Sequence, residues 1–439
     1  MRMGCAKVDI TPTEPAFLRG YGSRNCLHHG VEEPLEAGAL VLEQDAKRIL
    51  LITLDNTGMG LNECKQIYSW LSDLGFDASN TYLCCSHTHF APGISDYYVT
   101  FIPYGNIPLG QYKAEESYIA LLNERLRDAV KRAAENIEEV ELEQVEIPVP
   151  CVSFNRRTIV KGENRVITNF MYPEDAEKYE FQDVDTTLNV WRFRKDDGIK
   201  AIVGRFSCHP VTGGNDMYCV SADYPGYFQK YVREFFGCPC MFMLGVAGDV
   251  VPLQRRGTSR SDIGMVLATA VRLAERRFRK VTDFRLDNAI VNVELTLEKV
   301  FPRDKADELF AASIERTKNA KDPLEFDEQA CTDAYRHAYA KGFPSDNVNV
   351  PIRMMRLGDK VLVGFPFETL TSVAKRLCEA CPNVVVTTLT GGYEGYLPLL
   401  CEFPQGGYEA TMGYVFRQGS AEKILDAVIP AVKEFSRQA

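Results

Sequence analysis

Short apolar runs separated by polar breaks dominate the N-terminal part of the chain. Residues 39–42 and 49–54 are apolar stretches divided by Glu-Gln-Asp-Ala-Lys-Arg, a pattern that predicts a β-hairpin. A strand-like run over 5–10 precedes it, and Asp55-Asn56-Thr57-Gly58 breaks the second strand. Residues 62–74 then carry apolar positions at helical spacing, and 81–85 is another short strand, ending at Ser86-His87-Thr88-His89. Strand, helix, strand predicts an α/β layout. Between 115 and 137, Tyr118, Leu122, Leu126, Val130, Ala133 and Ile137 recur every three or four residues. That is one helix face, and it needs a sheet or helix to cover it.

Strands are expected at 188–193, 201–206 and 240–244, with helices at 224–236 and 260–279; the Arg-rich stretch 272–280 reads as a solvated helix face. A second part begins near Val281. It holds a strand over 290–297, two helices within 303–340 around Lys321-Asp322-Pro323, two strands joined at Gly358-Asp359, and helices over 368–381 and 422–435. No Gly/Ser or Pro-rich linker and no fixed-period repeat divides the chain. The expectation is a compact mixed-sheet α/β body with flanking helices, a single domain over 1–439 whose two lobes, if present, meet near 281.

Composition narrows the function classes. Of 439 residues, 45% are hydrophobic and 25% charged, which excludes disorder, collagen and coiled coil. A net charge of -10 argues against a nucleic-acid or anionic-membrane surface. No apolar stretch approaches the roughly 20 residues that span a bilayer. The fourteen cysteines sit mostly in apolar runs, Cys84, Cys85, Cys208 and Cys219 among them. No charged and then apolar leader precedes the first strand, so they read as reduced thiols of a cytoplasmic protein. Cys378 and Cys381 have the spacing of half a zinc site but no matching pair, and read as core thiols.

Candidate chemistry rests on few residues. Only six histidines occur, and His87, His89 and His209 all lie just past expected strands, where open α/β sheets bind ligands. An H-x-H pair puts both imidazoles on one side of an extended segment, although such a pair is as often a hydrogen-bonded surface pair as a ligand pair. Taken singly, His209 also reads as a satisfied strand-end histidine. Glu368 reads as an acidic residue in the first turn of its helix, and Tyr393, Tyr396 and Tyr408 as packing aromatics of a Gly-rich loop.

Together these residues stand in a telling order. Ser86-His87-Thr88-His89-Phe90-Ala91-Pro92-Gly93 is followed by Ser207-Cys208-His209-Pro210, Ser221-Ala222-Asp223-Tyr224-Pro225-Gly226 and Gly248-Asp249-Val250-Val251-Pro252. Val363-Gly364-Phe365-Pro366-Phe367-Glu368 and Gly392-Tyr393-Glu394-Gly395-Tyr396 with Tyr408-Glu409 come later, and Arg19-Gly20-Tyr21-Gly22 stands near the start. This set resembles the neutral/alkaline non-lysosomal ceramidase family, over about residues 5–414.

The resemblance implies a fold of the ceramidase N-terminal-domain type and a zinc-dependent hydrolase, with one Zn2+ per chain, that cleaves an N-acyl amide bond by metal-activated water. By motif, His87, His209, Glu368 and Tyr396 would be the metal ligands. His89 would be the general acid/base, Tyr408 the second active-site tyrosine and Arg156 the oxyanion-binding arginine. Asp55 and Asp249 would orient the imidazoles or merely cap turns. The chain departs from the family pattern at Val251 and Leu253, where serine and asparagine are usual, so a serine nucleophile there is not available. Phe367 replaces a glycine beside Glu368, which predicts a reshaped pocket rim. The chain is expected to be a short bacterial relative without signal peptide or additional C-terminal β domain. The implied substrate is a small amphiphilic or N-acylated compound, ceramide or a smaller analogue, with Phe90, Tyr97, Tyr98, Phe101 and Tyr104 lining a pocket or filling core. The alternatives are the same metal site acting on an ester or glycan-derived substrate, and an inactive metal- or ligand-binding relative.

Overall fold

One arrangement of strands occurs three times in the computed structural model: three antiparallel strands, then a crossover helix leading to a fourth strand parallel to the third. The structure describes the chain except residues 22–23, 25, 95–115, 197, 283–284, 318–322 and 438–439, and for 317 and 323–331 the backbone alone. The first unit comprises β1 (Arg2–Asp9), β2 (Glu36–Gln44), β3 (Lys47–Leu54), α1 (Leu61–Leu71) and β4 (Thr81–Cys85). It is covered by α2 (Glu116–Glu135), whose buried stripe Tyr118, Leu122, Leu126, Val130 and Ala133 follows the sequence pattern, with Ala129 added and Ile137 lying beyond the helix end.

The second unit is β5 (Glu141–Pro148), β6 (Thr187–Lys195), β7 (Gly198–Phe206), α3 (Asp223–Phe236) and β8 (Cys240–Leu244), followed by α4 (Ser259–Leu273) packed on α3. In the third unit, α5 (Ala306–Thr317) and α6 (Pro323–Gly342) intervene between β9 (Asn288–Thr296) and β10 (Asn347–Leu357). β11 (Lys360–Gly364), α7 (Thr371–Ala380) and β12 (Val384–Thr387) complete it, and α8 (Ser420–Arg437) packs on its outer face.

Local chemistry explains the recurrence. Each hairpin closes through a two-residue turn whose first residue has positive φ: Asp45 at 52°, Asp196 at 51° and Gly358 at 69°. Such turns match the twist of the flanking strands, and Asp and Gly tolerate them best. The parallel pair that follows cannot be joined by a tight turn, so a helix carries the chain across. One face of each sheet points into a shared core that includes Leu40, Leu51, Trp191, Val203, Met355 and Leu362. The helices cover the opposite faces. Each fully buried aliphatic or aromatic side chain there contributes on the order of 1.5–3 kcal/mol of transfer free energy.

Two expected helices are shorter than the pattern suggests. The 260–279 helix ends at Leu273, and Arg279–Lys280 leaves it to pair with β5, beneath the Arg192 guanidinium that stacks 3.9 Å from the Phe278 ring centroid. The 368–381 helix starts only at Thr371, because the Asp249 carboxylate from the second unit takes the Thr371 N–H (3.0 Å) and hydroxyl (2.7 Å). Glu368 therefore lies in an extended segment, Glu368–Thr369, parallel to Tyr396–Leu397, and not in a helical first turn. The cysteines among the described residues are all free, Cys378 and Cys381 included. Among the described residues no helix is long and apolar enough to cross a membrane.

The carboxyl ends of the three parallel pairs meet. Thr388 N–H donates to the Leu244 carbonyl (3.1 Å), Cys85 N–H to Leu389 (3.2 Å) and Gly248 N–H to Thr369 (3.1 Å), tying the loops after β4, β8, β11 and β12 together.

Candidate metal centre and cleft

His87 follows β4 by two residues and adopts φ 67°, an outlying value for a residue with a Cβ. Its backbone N–H donates to the Asn56 carbonyl (2.9 Å), and its Nδ1 to the Thr57 carbonyl (2.5 Å). Both acceptors belong to the break after β3. His209, just past β7, is held the same way: its N–H donates to Val250 (2.9 Å) and its Nδ1 to Ala247 (2.7 Å). A carbonyl can only accept, so both Nδ1 atoms carry a proton and both Nε2 atoms are turned away from these carbonyls. Both rings are buried.

Glu368 meets them from the third unit. Its Oε1 accepts the Tyr393 hydroxyl at 2.6 Å. Its Oε2 accepts no hydrogen bond and lies 3.3 Å from His87 Nε2 and 3.6 Å from His209 Nε2. The close approach depends on Gly248, where a Cβ would come within 2.5 Å of the Glu368 carbonyl oxygen. His89, half-buried, places Nε2 3.4 Å from His87 Nε2. The ligand atoms of His87, His89 and His209 all lie within 4.8 Å of one another. A buried carboxylate oxygen with no donor is costly unless a cation fills the gap. Neutral imidazoles and a carboxylate are the donors a borderline divalent ion takes, so the residues present fit a metal.

Burial, then the His87 and His209 rings beside it, push the His89 imidazole well below its usual range; burial and His87 do the same for His209. Burial works to raise the Glu368 carboxyl, but the two histidines and the Tyr393 hydrogen bond outweigh it and hold it well below the carboxylate range. Burial and the Glu368 charge push the Tyr396 phenol well up, against the pull of Arg156.

Arg156 is buried and locked by Glu409 (Nε to Oε1, 2.7 Å), the Gly248 carbonyl (2.8 Å) and the Tyr396 hydroxyl (3.0 Å). Tyr408 packs edge-on against Tyr396 at 5.5 Å and against Phe170 at 5.6 Å. A cleft of about 420 Å³ opens here, lined by His89, His209, Arg156, Tyr396 and Tyr408 together with Tyr21, Phe170 and Arg255.

All seven residues singled out in the sequence, His87, His89, His209, Glu368, Tyr396, Arg156 and Tyr408, thus come together in one place. Asp55 and Asp249 touch no imidazole: Asp55 accepts from the Glu36 N–H and Asp249 caps α7, so carbonyls hold the rings instead. Phe367 is not among the residues lining the cleft; its ring is buried against Phe416 at 5.8 Å. Val251 is core beside Phe154 and Val211, and Phe90 is buried and stands outside the cleft lining. Tyr97, Tyr98, Phe101 and Tyr104 lie outside the described residues. Missed were the two carbonyls, Glu409 as the anchor of Arg156, and Tyr393 as the donor to Glu368; its place three residues before Tyr396 was the available signal.

Fold and site define a mixed-sheet α/β protein with a buried His/Glu centre suited to a metal ion. The model of the neutral/alkaline non-lysosomal ceramidase N-terminal domain matches residues 1–235, more than half of the chain, and the chain belongs to this family. Membership points to a hydrolase acting on amide bonds. The fold is similar to that of neutral ceramidase from Pseudomonas aeruginosa, with 18% identity, a TM-score of 0.77, and 99% of this chain and 74% of that one covered. It is also similar to a ceramidase complexed with C2, with 17% identity, a TM-score of 0.75, and 99% and 75% covered. No curated protein sequence matches the chain.

Proposed function

We propose that the chain is a zinc-dependent amidohydrolase of the ceramidase kind, with one Zn2+ held by His87, His209, Glu368 and Tyr396. The observation that carries this reading is Glu368 Oε2, without a hydrogen-bond partner among the described residues, beside two imidazole Nε2 atoms. When bound, the metal supplies a Lewis acid that polarises an amide carbonyl and lowers the pKa of water.

The protein's own residues do the rest. Thr57 and Ala247 keep the two Nε2 atoms turned inward, and Tyr393 fixes the Glu368 carboxylate. Arg156 and Tyr408, beside the cleft, stabilise charge growing on the carbonyl oxygen; Glu409 holds the guanidinium in place beforehand, so little reorganisation is needed. His89 takes a proton from the attacking water and passes it to the leaving amine through Nε2. Phe170 and Met171 line the cleft, and with the stacked pair Tyr172 and Phe181 they form an exposed apolar shelf that suits an acyl chain. That shelf supports an N-acyl substrate, ceramide or a smaller analogue. The free thiols support a cytoplasmic setting.

A second reading makes His89 the fourth donor in place of Tyr396. It is favoured by the short His89–His87 separation and by the Tyr396 hydroxyl being engaged by Arg156. Metal analysis of His209→Ala, Glu368→Ala, His89→Ala and Tyr396→Phe separates the two readings. Full zinc occupancy in either of the first two variants contradicts both. Zinc-loaded protein that cleaves no N-acyl sphingosine, N-acyl amino acid or aryl ester would overturn the hydrolase assignment, and cleavage of the esters alone would move it to a different bond.

A further inference from the structure

The charge of the cleft does not follow the charge of the chain. The protein carries a net charge of -10, yet the described residues lining the cleft include Arg156, Arg255 and Arg256 and no Asp or Glu. Arg156 is answered by Glu409 at 2.7 Å. Arg255 has no such answer: its hydrogen bonds go to the Val211 carbonyl (2.6 Å), the Phe170 carbonyl (2.7 Å) and the Tyr21 hydroxyl (3.1 Å), with a weak contact to Met171 sulfur. All four acceptors are neutral.

A second guanidinium stands on the other side of Tyr21. Arg24 is 3% exposed, and its Cζ lies 4.7 Å from the Tyr21 ring centroid and 4.9 Å from that of Phe90. Its Nη1 donates to the Arg19 and His89 carbonyls, while Nε and Nη2 have no partner among the described residues. Neither Arg24 nor Arg255 is ion-paired among the described residues. Asp223, whose charge reaches Arg255, is committed to Thr212 and the Tyr224 N–H. Arg256 has Asp216 at 3.5 Å, but both side chains are largely exposed and the pair is worth little.

Two guanidinium charges without a counter-ion among the described residues are costly in the folded state unless something supplies the anion. We propose that the amide substrate of this cleft carries a compact negative charge, a carboxylate or sulfonate, which Arg255 receives with the field of Arg24 behind it. The proposal rests on the amidase reading of the site and narrows it: an anionic N-acyl compound is preferred to neutral ceramide. A guanidinium fork matches such oxyanions in shape as well as charge.

The test is calorimetric binding to zinc-loaded protein, so that it does not depend on turnover. One arm puts the charge on the amine side, with N-dodecanoylglycine and N-dodecanoyltaurine against neutral N-dodecanoylglycinamide. The other puts it on the acyl side, with N-dodecylsuccinamic acid against its neutral diamide. The expected result is at least about tenfold tighter binding of the anion in one arm, roughly 1.4 kcal/mol. The glycine and taurine conjugates then tell carboxylate from sulfonate. Arg255→Gln should bring the anion and its neutral analogue within about twofold, and Arg255→Lys should restore part of the gap. Equal affinities in both arms for the wild-type protein would overturn the proposal, whatever the variants do. Hydrolysis followed on the same compounds tests the underlying reading separately. Cleavage without charge preference would keep the amidase and remove the anion site, whereas selective anion binding without any cleavage would do the reverse.

Discussion

Glu409 is the most informative single residue to change. Its carboxylate is wholly buried and accepts from Arg156 Nε (2.7 Å), Arg157 Nη1 (3.1 Å) and Thr168 Oγ1 (3.1 Å). Glu409→Gln keeps the shape but removes the charge and turns one acceptor into a donor facing a guanidinium. Breaking a buried pair on one side costs about 3–5 kcal/mol, because the partner charge stays behind without compensation. Here two partners stay behind. With roughly 2.1 cal/mol/K of unfolding entropy per residue, the 439 residues give about 0.9 kcal/mol/K, so the melting temperature should fall by about 3–5 °C. Calorimetry on the variant reads that shift, and Glu163→Gln is the control, since its ion pair with Arg165 is exposed on both sides and should leave the melting temperature unmoved. The variant should also lose kcat by more than tenfold, on the order of the effect of removing one transition-state donor, because Arg156 is no longer anchored beside Tyr396. A melting temperature within about 1 °C of wild type, or unchanged kcat, would refute the view that Glu409 organises the cleft.

Tyr393→Phe removes the 2.6 Å hydrogen bond to Glu368 Oε1, and zinc affinity measured by competition with a chelator should weaken by about 10–100-fold while stoichiometric zinc still binds. Removing the metal with a chelator should lower the melting temperature, and restoring zinc should raise it with concentration, since a ligand bound only to the folded state stabilises it by mass action; no shift on zinc addition would speak against the site. Tyr408→Phe should retain zinc but lose turnover, and wild-type turnover would show that the phenol only packs on Tyr396. Burial pushes Glu33 up to about 7 and Asp55 up to about 6. Groups raised on folding hold their full contribution below the unfolded carboxylate pKa and lose it as pH climbs through the folded one. The difference in stability between wild type and Glu33→Gln should therefore swing against wild type between about pH 4.5 and 7, and a pH-independent difference would contradict it.

How much of this could be read from the sequence depended on distance along the chain. The hairpin 39–54 and the helix face Tyr118 to Ala133 were legible because side-chain period and turn chemistry are local. The start of α7 was not, because the carboxylate that sets it, Asp249, comes from the second unit and lies 122 residues away. β5 was missed because Glu141, Glu143 and Glu146 make it look like surface, although Leu142, Val145 and Ile147 of the same strand are buried. The threefold recurrence escaped a search for fixed periods because the inserts differ: α2 follows the first unit, whereas α5 and α6 interrupt the third.

The candidate centre has the same logic. His87 comes from the first unit, His209 from the second, and Glu368 with Tyr396 from the third. No periodicity relates them. The rule that ligands gather at the carboxyl ends of parallel strands pointed to each end separately, and only the order of motifs suggested that the ends meet. Once they do, the division of labour follows from geometry. His87 is fixed inside the first unit by Thr57 of the β3 break and His209 inside the second by Ala247 of the β8 break, whereas Gly248 of the second unit leaves the space that Glu368 of the third enters. A substitution at any of these contacts disturbs a donor on another loop, so damage to metal binding should follow the contacts between loops more closely than sequence distance from a histidine.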